Sequence, residues 1–150
     1  MNSIFDKTTN EVFINRIKLL NEDSKPLWGK MNVSQMLSHC QAPIDLALGN
    51  IEIKSNFVMR FLGTLFKSKI INASKFKKNS ITVPEFLRYE SYDFEQNKLA
   101  LIEKISIFAK LGSGAIKNAK HPIFGNLKVE EWDKLQSKHL DPVSYTHLRA

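Results

Sequence analysis

Apolar residues recur along this chain at intervals of three and four, and five stretches carry the rhythm of one-sided helices. In the first, from about Thr9 to Asn21, Phe13, Ile14, Ile17 and Leu20 share a face, with a threonine or asparagine available as N-cap. It ends before Ser24, Lys25 and Pro26. Asn32 or Ser34 caps a second helix whose inward face is Val33, Met36, Leu37, Cys40, Ile44, Ala47 and Leu48, with Gly49 as its stop. Pro43 lies inside it and predicts a kink or a local end, because proline cannot donate to the carbonyl of His39. The third stretch, about Asn56 to Lys69, is expected to bury Val58, Phe61, Leu62, Leu65 and Phe66, to expose Arg60 and Lys67, and to be slightly weakened by Gly63. A polar connection with Asn72, Ser74, Asn79, Ser80 and Pro84 follows, pinned by Phe86 and Leu87. The fourth, about Asp93 to Leu111, turns Leu101, Ile102, Ile105, Phe108 and Ala109 inward and stops at Gly112 and Gly114. The last begins near Asn126 to Val129, with Glu130 and Glu131 suited to its first turn. No strand alternation, internal repeat or low-complexity linker stands out. Such stripes are best buried in an all-α fold, an antiparallel bundle of about four main helices with an extra short helix or long loop.

The last stretch carries the candidate chemistry. Read at about 100° per residue from Val129, Trp132, Leu135, Gln136, His139 and Leu140 share one face, while Glu130, Lys134 and Lys138 take the other. His139 therefore points inward. A buried imidazole left without a partner costs about 1 to 3 kcal/mol, so it requires a hydrogen bond, a charge or a metal. A backbone carbonyl and a metal serve equally well. One turn on stand Pro142 and Val143, where the helix is expected to be cut short. His39 lies about 120° from the centre of its stripe, and alone it reads as a surface residue. His121 precedes Pro122 in an extended lead into the last helix, and His147 lies beyond Pro142. A transition-metal site needs about three convergent ligands, with imidazole suiting zinc, nickel or iron, and the chain offers neither HExxH nor CxxC nor HxxxH. Cys40, at the centre of its apolar stripe, reads as a buried small hydrophobe and not a nucleophile.

Charge changes the picture in one place. From Ile53 to Pro84 there is no acidic residue, and Lys54, Arg60, Lys67, Lys69, Lys75, Lys77 and Lys78 account for the whole net charge of +7. That segment suits an anionic partner such as nucleic acid, lipid headgroups or an acidic substrate. It suits a solvated helix face and loop better, since no aromatic stacking motif or nucleic-acid signature accompanies it, and no nucleic-acid partner is expected. A single domain of 150 residues with 43% hydrophobic content can bury its own core. The first residues lack the pattern of a signal peptide, and no run approaches the ~20 apolar residues of a membrane span. With one cysteine and no internal disulfide, a cytoplasmic protein without a membrane partner is expected.

The segments LWGKMNVSQMLSHC, Leu27 to Cys40, and HPIFGNLKVEEWDKLQSKHLD, His121 to Asp141, resemble the DinB-like superfamily of four-helix bundles. More narrowly, they resemble a branch known as a bacterial domain of unknown function. The likeness spans residues from about 5 to 141. It implies a divalent metal, zinc or nickel, held by one histidine of the second helix and an HxxxH pair of the last. His39 matches the first ligand and His139 the second, while the third falls on Val143. The tail from Pro142 to Ala150 departs from the branch's pattern and resembles translated adapter DNA. The expectation is a C-terminally truncated bundle domain over residues 1–141 and a non-native tail over 142–150, with the metal weakly bound or absent. The superfamily's thiol-dependent transferases imply a low-molecular-weight thiol and a small electrophile as partners, in a chain compatible with a homodimer. The alternative from the residues alone is a non-catalytic structural or oligomerising bundle.

Overall fold

The computed structural model describes residues 3–27, 29–74, 76 and 83–146, with side chains described only as far as residue 141. Five α-helices form among these residues: α1 (Lys7–Lys18), α2 (Val33–Leu48), α3 (Phe57–Asn72), α4 (Phe94–Leu111) and α5 (Val129–Thr146). Polar residues set their starts. Asp6, not a threonine or asparagine, caps α1 by accepting from the Thr9 amide at 2.8 Å. Asn32 and Gln35 form a reciprocal capping box on α2, and Asn56 and Asp93 cap α3 and α4. Gly49 ends α2 in the left-handed conformation, as its place in the sequence predicts. The fold is all-α apart from a two-stranded antiparallel hairpin, β1 (Lys120–His121) and β2 (Gly125–Asn126), too short to show alternation.

The core sits where α4 packs on α1 and α2 and where α5 packs on α2, α1 and α3. Phe13, Ile17, Met36, Leu37, Ile44, Leu101, Ile105, Phe108, Trp132 and Leu140 fill it. Buried Asn10 ties α1 to α4 by donating to the carbonyls of Ile4 and Ile105. No described helix is long and apolar enough to cross a membrane.

Four expectations are corrected. Pro43 neither ends nor interrupts α2, and α5 runs through Pro142 to Thr146. A proline removes one hydrogen bond and adds a local clash, costing about 3 kcal/mol, and in α2 the core packing of Met36, Leu37, Ile44 and Ala47 absorbs it.

The third correction concerns α3, whose Val58, Phe61, Leu62, Leu65 and Phe66 are exposed. The helix docks by its opposite side, through Gly63 and Ile71 with Met59 and Ile70 beside them. A Cβ at Gly63 would collide with the carbonyl and side chain of Ile123, so this glycine permits the close approach. Lys67 belongs to the docked side, donating to the Asn126 carbonyl at 2.8 Å and pairing with Glu131 at 3.1 Å.

Fourth, Lys138 is buried. Its ammonium donates to the carbonyls of Ile70 and Ile71, both at 2.6 Å, where the last turn of α3 leaves carbonyls without intrahelical partners. The pattern of α5 assigned it to the polar face because periodicity does not register the neighbouring end of α3.

Candidate metal centre

Helices α2 and α5 bring His39 and His139 together, their ring centroids 5.1 Å apart and their planes 42° from parallel. His39 is 7% exposed, so it is not the surface residue its angular position suggests. The connection between α3 and α4 folds over it. The short 3-10 helix Pro84–Phe86 buries the Phe86 ring and aims its carbonyl at the imidazole, and His39 Nδ1 donates to that oxygen at 2.6 Å. This bond leaves Nε2 as the nitrogen with a free lone pair, the tautomer that a metal-ligating histidine adopts when a carbonyl holds its other nitrogen. Beside it, Arg88 donates to Ser38 Oγ at 2.9 Å.

His139 faces the same space. Its Nε2 is buried and has no hydrogen-bond partner. Phe76 closes one side, its ring edge-on at 6.4 Å from the imidazole. Burial drives the His139 pKa down to about 3, and the nearby His39 adds to the shift. The His39 pKa is also lowered, by burial first and by the Arg88 charge, against the opposing pull of the Phe86 carbonyl. Both rings are therefore neutral near pH 7, the state in which imidazole donates a lone pair to a metal.

Farther along the inner face of α5, Trp132 Nε1 and Gln136 Oε1 are buried without partners, although Gln136 Nε2 donates to the Pro43 carbonyl at 2.9 Å. With His139 they make a polar stripe at helical spacing inside an apolar core.

The other candidates are elsewhere. His121 sits in the hairpin against Phe124 and Trp132, and its Nδ1 accepts from the amides of Ile123 and Phe124. Cys40 is buried, and burial pushes its thiol pKa well above the usual value, in keeping with an inert core residue. Position 143 lies one helical turn beyond His139, now within a continuous α5. His147 falls outside the described residues, as do Lys75, Lys77 and Lys78 of the basic segment. Among the described residues, no group of three or more histidine, cysteine, aspartate or glutamate side chains is placed to hold a metal. Sequence reasoning missed Phe86 as the acceptor for His39, and Arg88 and Phe76 as walls of the site. A backbone carbonyl leaves no trace in a side-chain pattern. Comparison with protein-family models, with curated proteins and with solved structures gives no match.

Proposed function

We propose that the chain is a DinB-like four-helix bundle built to hold a divalent transition metal, zinc or nickel, between α2 and α5. The observation that carries this reading is the pair of neutral imidazoles, one with Nδ1 fixed on the Phe86 carbonyl and the other with a buried, unpartnered Nε2. Leaving such a nitrogen without a partner costs about 1 to 3 kcal/mol, which a bound cation would offset. His39 and His139 are the two ligands the chain supplies. The third position of the resemblance is Val143, whose hydrocarbon side chain offers no lone pair. Two protein ligands leave affinity and geometry poorly controlled, so the chain as it stands is a weak metal binder.

When bound, the metal supplies Lewis acidity that favours the thiolate form of a low-molecular-weight thiol. In an intact relative of this arrangement the consequence would be thiol transfer to a small electrophile. The chain's own residues fix the His39 tautomer, exclude water from Nε2 of His139 and keep both rings unprotonated.

Calorimetric titration with zinc and with nickel tests the reading. Weak binding that disappears in both His39→Ala and His139→Ala is the expected result. Binding unaltered by either substitution, or near-stoichiometric metal retained through dialysis, would overturn it. A second reading, a non-catalytic structural bundle, is favoured by the hydrogen bond that already satisfies His39 and by the edge-on packing of that ring against Phe86. It requires the melting temperature to be the same with zinc and with a chelator.

A further inference from the structure

The segment that carries the charge excess also turns its largest apolar side chains to water. Phe57, Val58, Phe61, Leu62, Leu65 and Phe66 of α3 are 46% to 83% exposed. At 100° per residue they cover about half of the helix circumference, and the rings of Phe57 and Phe61 stack with centroids 6.4 Å apart. A contiguous apolar patch of this kind marks an interaction surface, whereas scattered exposed apolar residues do not. The face cannot roll inward, because Gly63 is fitted against Ile123, Lys67 is paired with Glu131, and Lys138 holds the last carbonyls of α3.

Charge decides what covers it. Lys54, Arg60 and Lys69 are exposed on or beside this face, and no acidic residue occurs from Ile53 to Pro84. A second copy docked face to face would set these cations against their own counterparts with only Glu52 nearby to offset them. An anionic bilayer accommodates both features, the acyl boundary taking phenylalanine and leucine and the headgroups taking lysine and arginine. Next to the start of α3 lies a cleft of about 280 Å³ lined by Lys54, Ser55, Arg60 and Lys120, with Glu52 also on its wall. Three cations against one carboxylate give it the sign for a headgroup phosphate.

We propose that α3 is a membrane-surface docking helix, lying in the plane of an anionic bilayer with Phe57, Val58, Phe61, Leu62, Leu65 and Phe66 immersed and with Lys54, Arg60 and Lys120 on headgroup phosphates. The helix is exposed through its apolar half and anchored to the protein through its small residue, the reverse of what the sequence pattern predicts. This inference stands independently of the metal centre and runs against the expectation of no membrane partner.

Co-sedimentation of the full chain tests it, using vesicles of phosphatidylcholine alone and vesicles with about a third phosphatidylglycerol. The chain is expected to pellet with the anionic vesicles only and to release as salt is raised. Each cation near the surface contributes about fivefold, so Lys54→Ala with Arg60→Ala should weaken binding on the order of twentyfold. Phe61→Asp with Leu65→Asp should abolish it. Phe61→Trp, a substitution that keeps an aromatic ring on the face, should show a blue-shifted emission when anionic vesicles are added. Absence of pelleting at low salt with unchanged Phe61→Trp emission would overturn the proposal, as would equal binding to neutral vesicles. It would also fall if the chain ignores vesicles and sediments as a dimer that Phe61→Asp with Leu65→Asp splits.

Discussion

His121 shows how a residue with no place in the metal centre can still contribute to the protein's response to acid. Its Nδ1 accepts two backbone amides in the hairpin turn, and protonation there would set a proton against both donors. Burial lowers its pKa from 6.5 to about 4. A folded-state value below the unfolded one means that the unfolded chain binds the proton more readily between these limits. The stabilisation is therefore complete above the unfolded value and is lost as pH falls toward 4. His39 and His139 shift in the same direction and extend the loss. Asparagine places an oxygen near the position of Nδ1 and does not titrate, so His121→Asn should keep the turn and remove one source of acid sensitivity. Urea unfolding at about pH 7 and about pH 4.5 should show the variant losing about 2 kcal/mol less than the wild type. An unchanged pH dependence would place the His121 side chain in water. The sequence marks His121 only as the residue before Pro122, because hydrogen bonds from amides two and three residues ahead belong to turn geometry and not to periodicity.

At the level of the helices, most starts and stops were legible, but the Asp6 cap of α1, the end of α5 and the docked face of α3 were not. Asn32, Asn56, Asp93 and Gly49 serve as caps where local chemistry places them. The stripes of α1, α2, α4 and most of α5 point inward because each opposes another stripe in the core. For α3 the rule that large apolar side chains face the core fails, since its docking is decided by a backbone approach that only glycine permits. Gly63 is therefore central to the position of α3, though its helix propensity marks it as a defect. Gly63→Ala separates the two views. Propensity alone makes the alanine stabilising by about 0.5 to 1 kcal/mol, whereas the collision with Ile123 makes it destabilising by about 1 to 3 kcal/mol. Thermal unfolding should show a lower melting temperature for the variant, and a raised one would mean that α3 does not sit against the hairpin. The buried Lys138 follows the same logic, because a charge at the inner face of α5 makes sense only once the end of α3 lies beside it.

Across the whole molecule, the candidate centre depends on two helices far apart in sequence and on a connection that closes over them. The inward direction of His139 was legible from α5 alone. The pairing with His39 came from the resemblance, since the angular position of His39 in its own helix points to solvent. Its burial results from the Phe86 connection, a tertiary event. The continuity of α5 through Pro142 now gives the resemblance a direct test within this chain. Position 143 stands one turn after His139 on an unbroken helix, the spacing at which two histidines on one face share a metal. Val143→His should therefore convert a weak two-ligand site into a three-ligand one. A ligand present at about a hundred times its dissociation constant stabilises the folded state by about 2.7 kcal/mol. Val143→His should accordingly melt at a higher temperature in zinc, return to its starting value with chelator, and lose the gain when combined with His39→Ala. If zinc affinity and melting temperature match those of the parent chain, positions 39, 139 and 143 do not converge. The hydrogen-bonded His39 and the ring contact with His139 would then be the packing of a structural bundle.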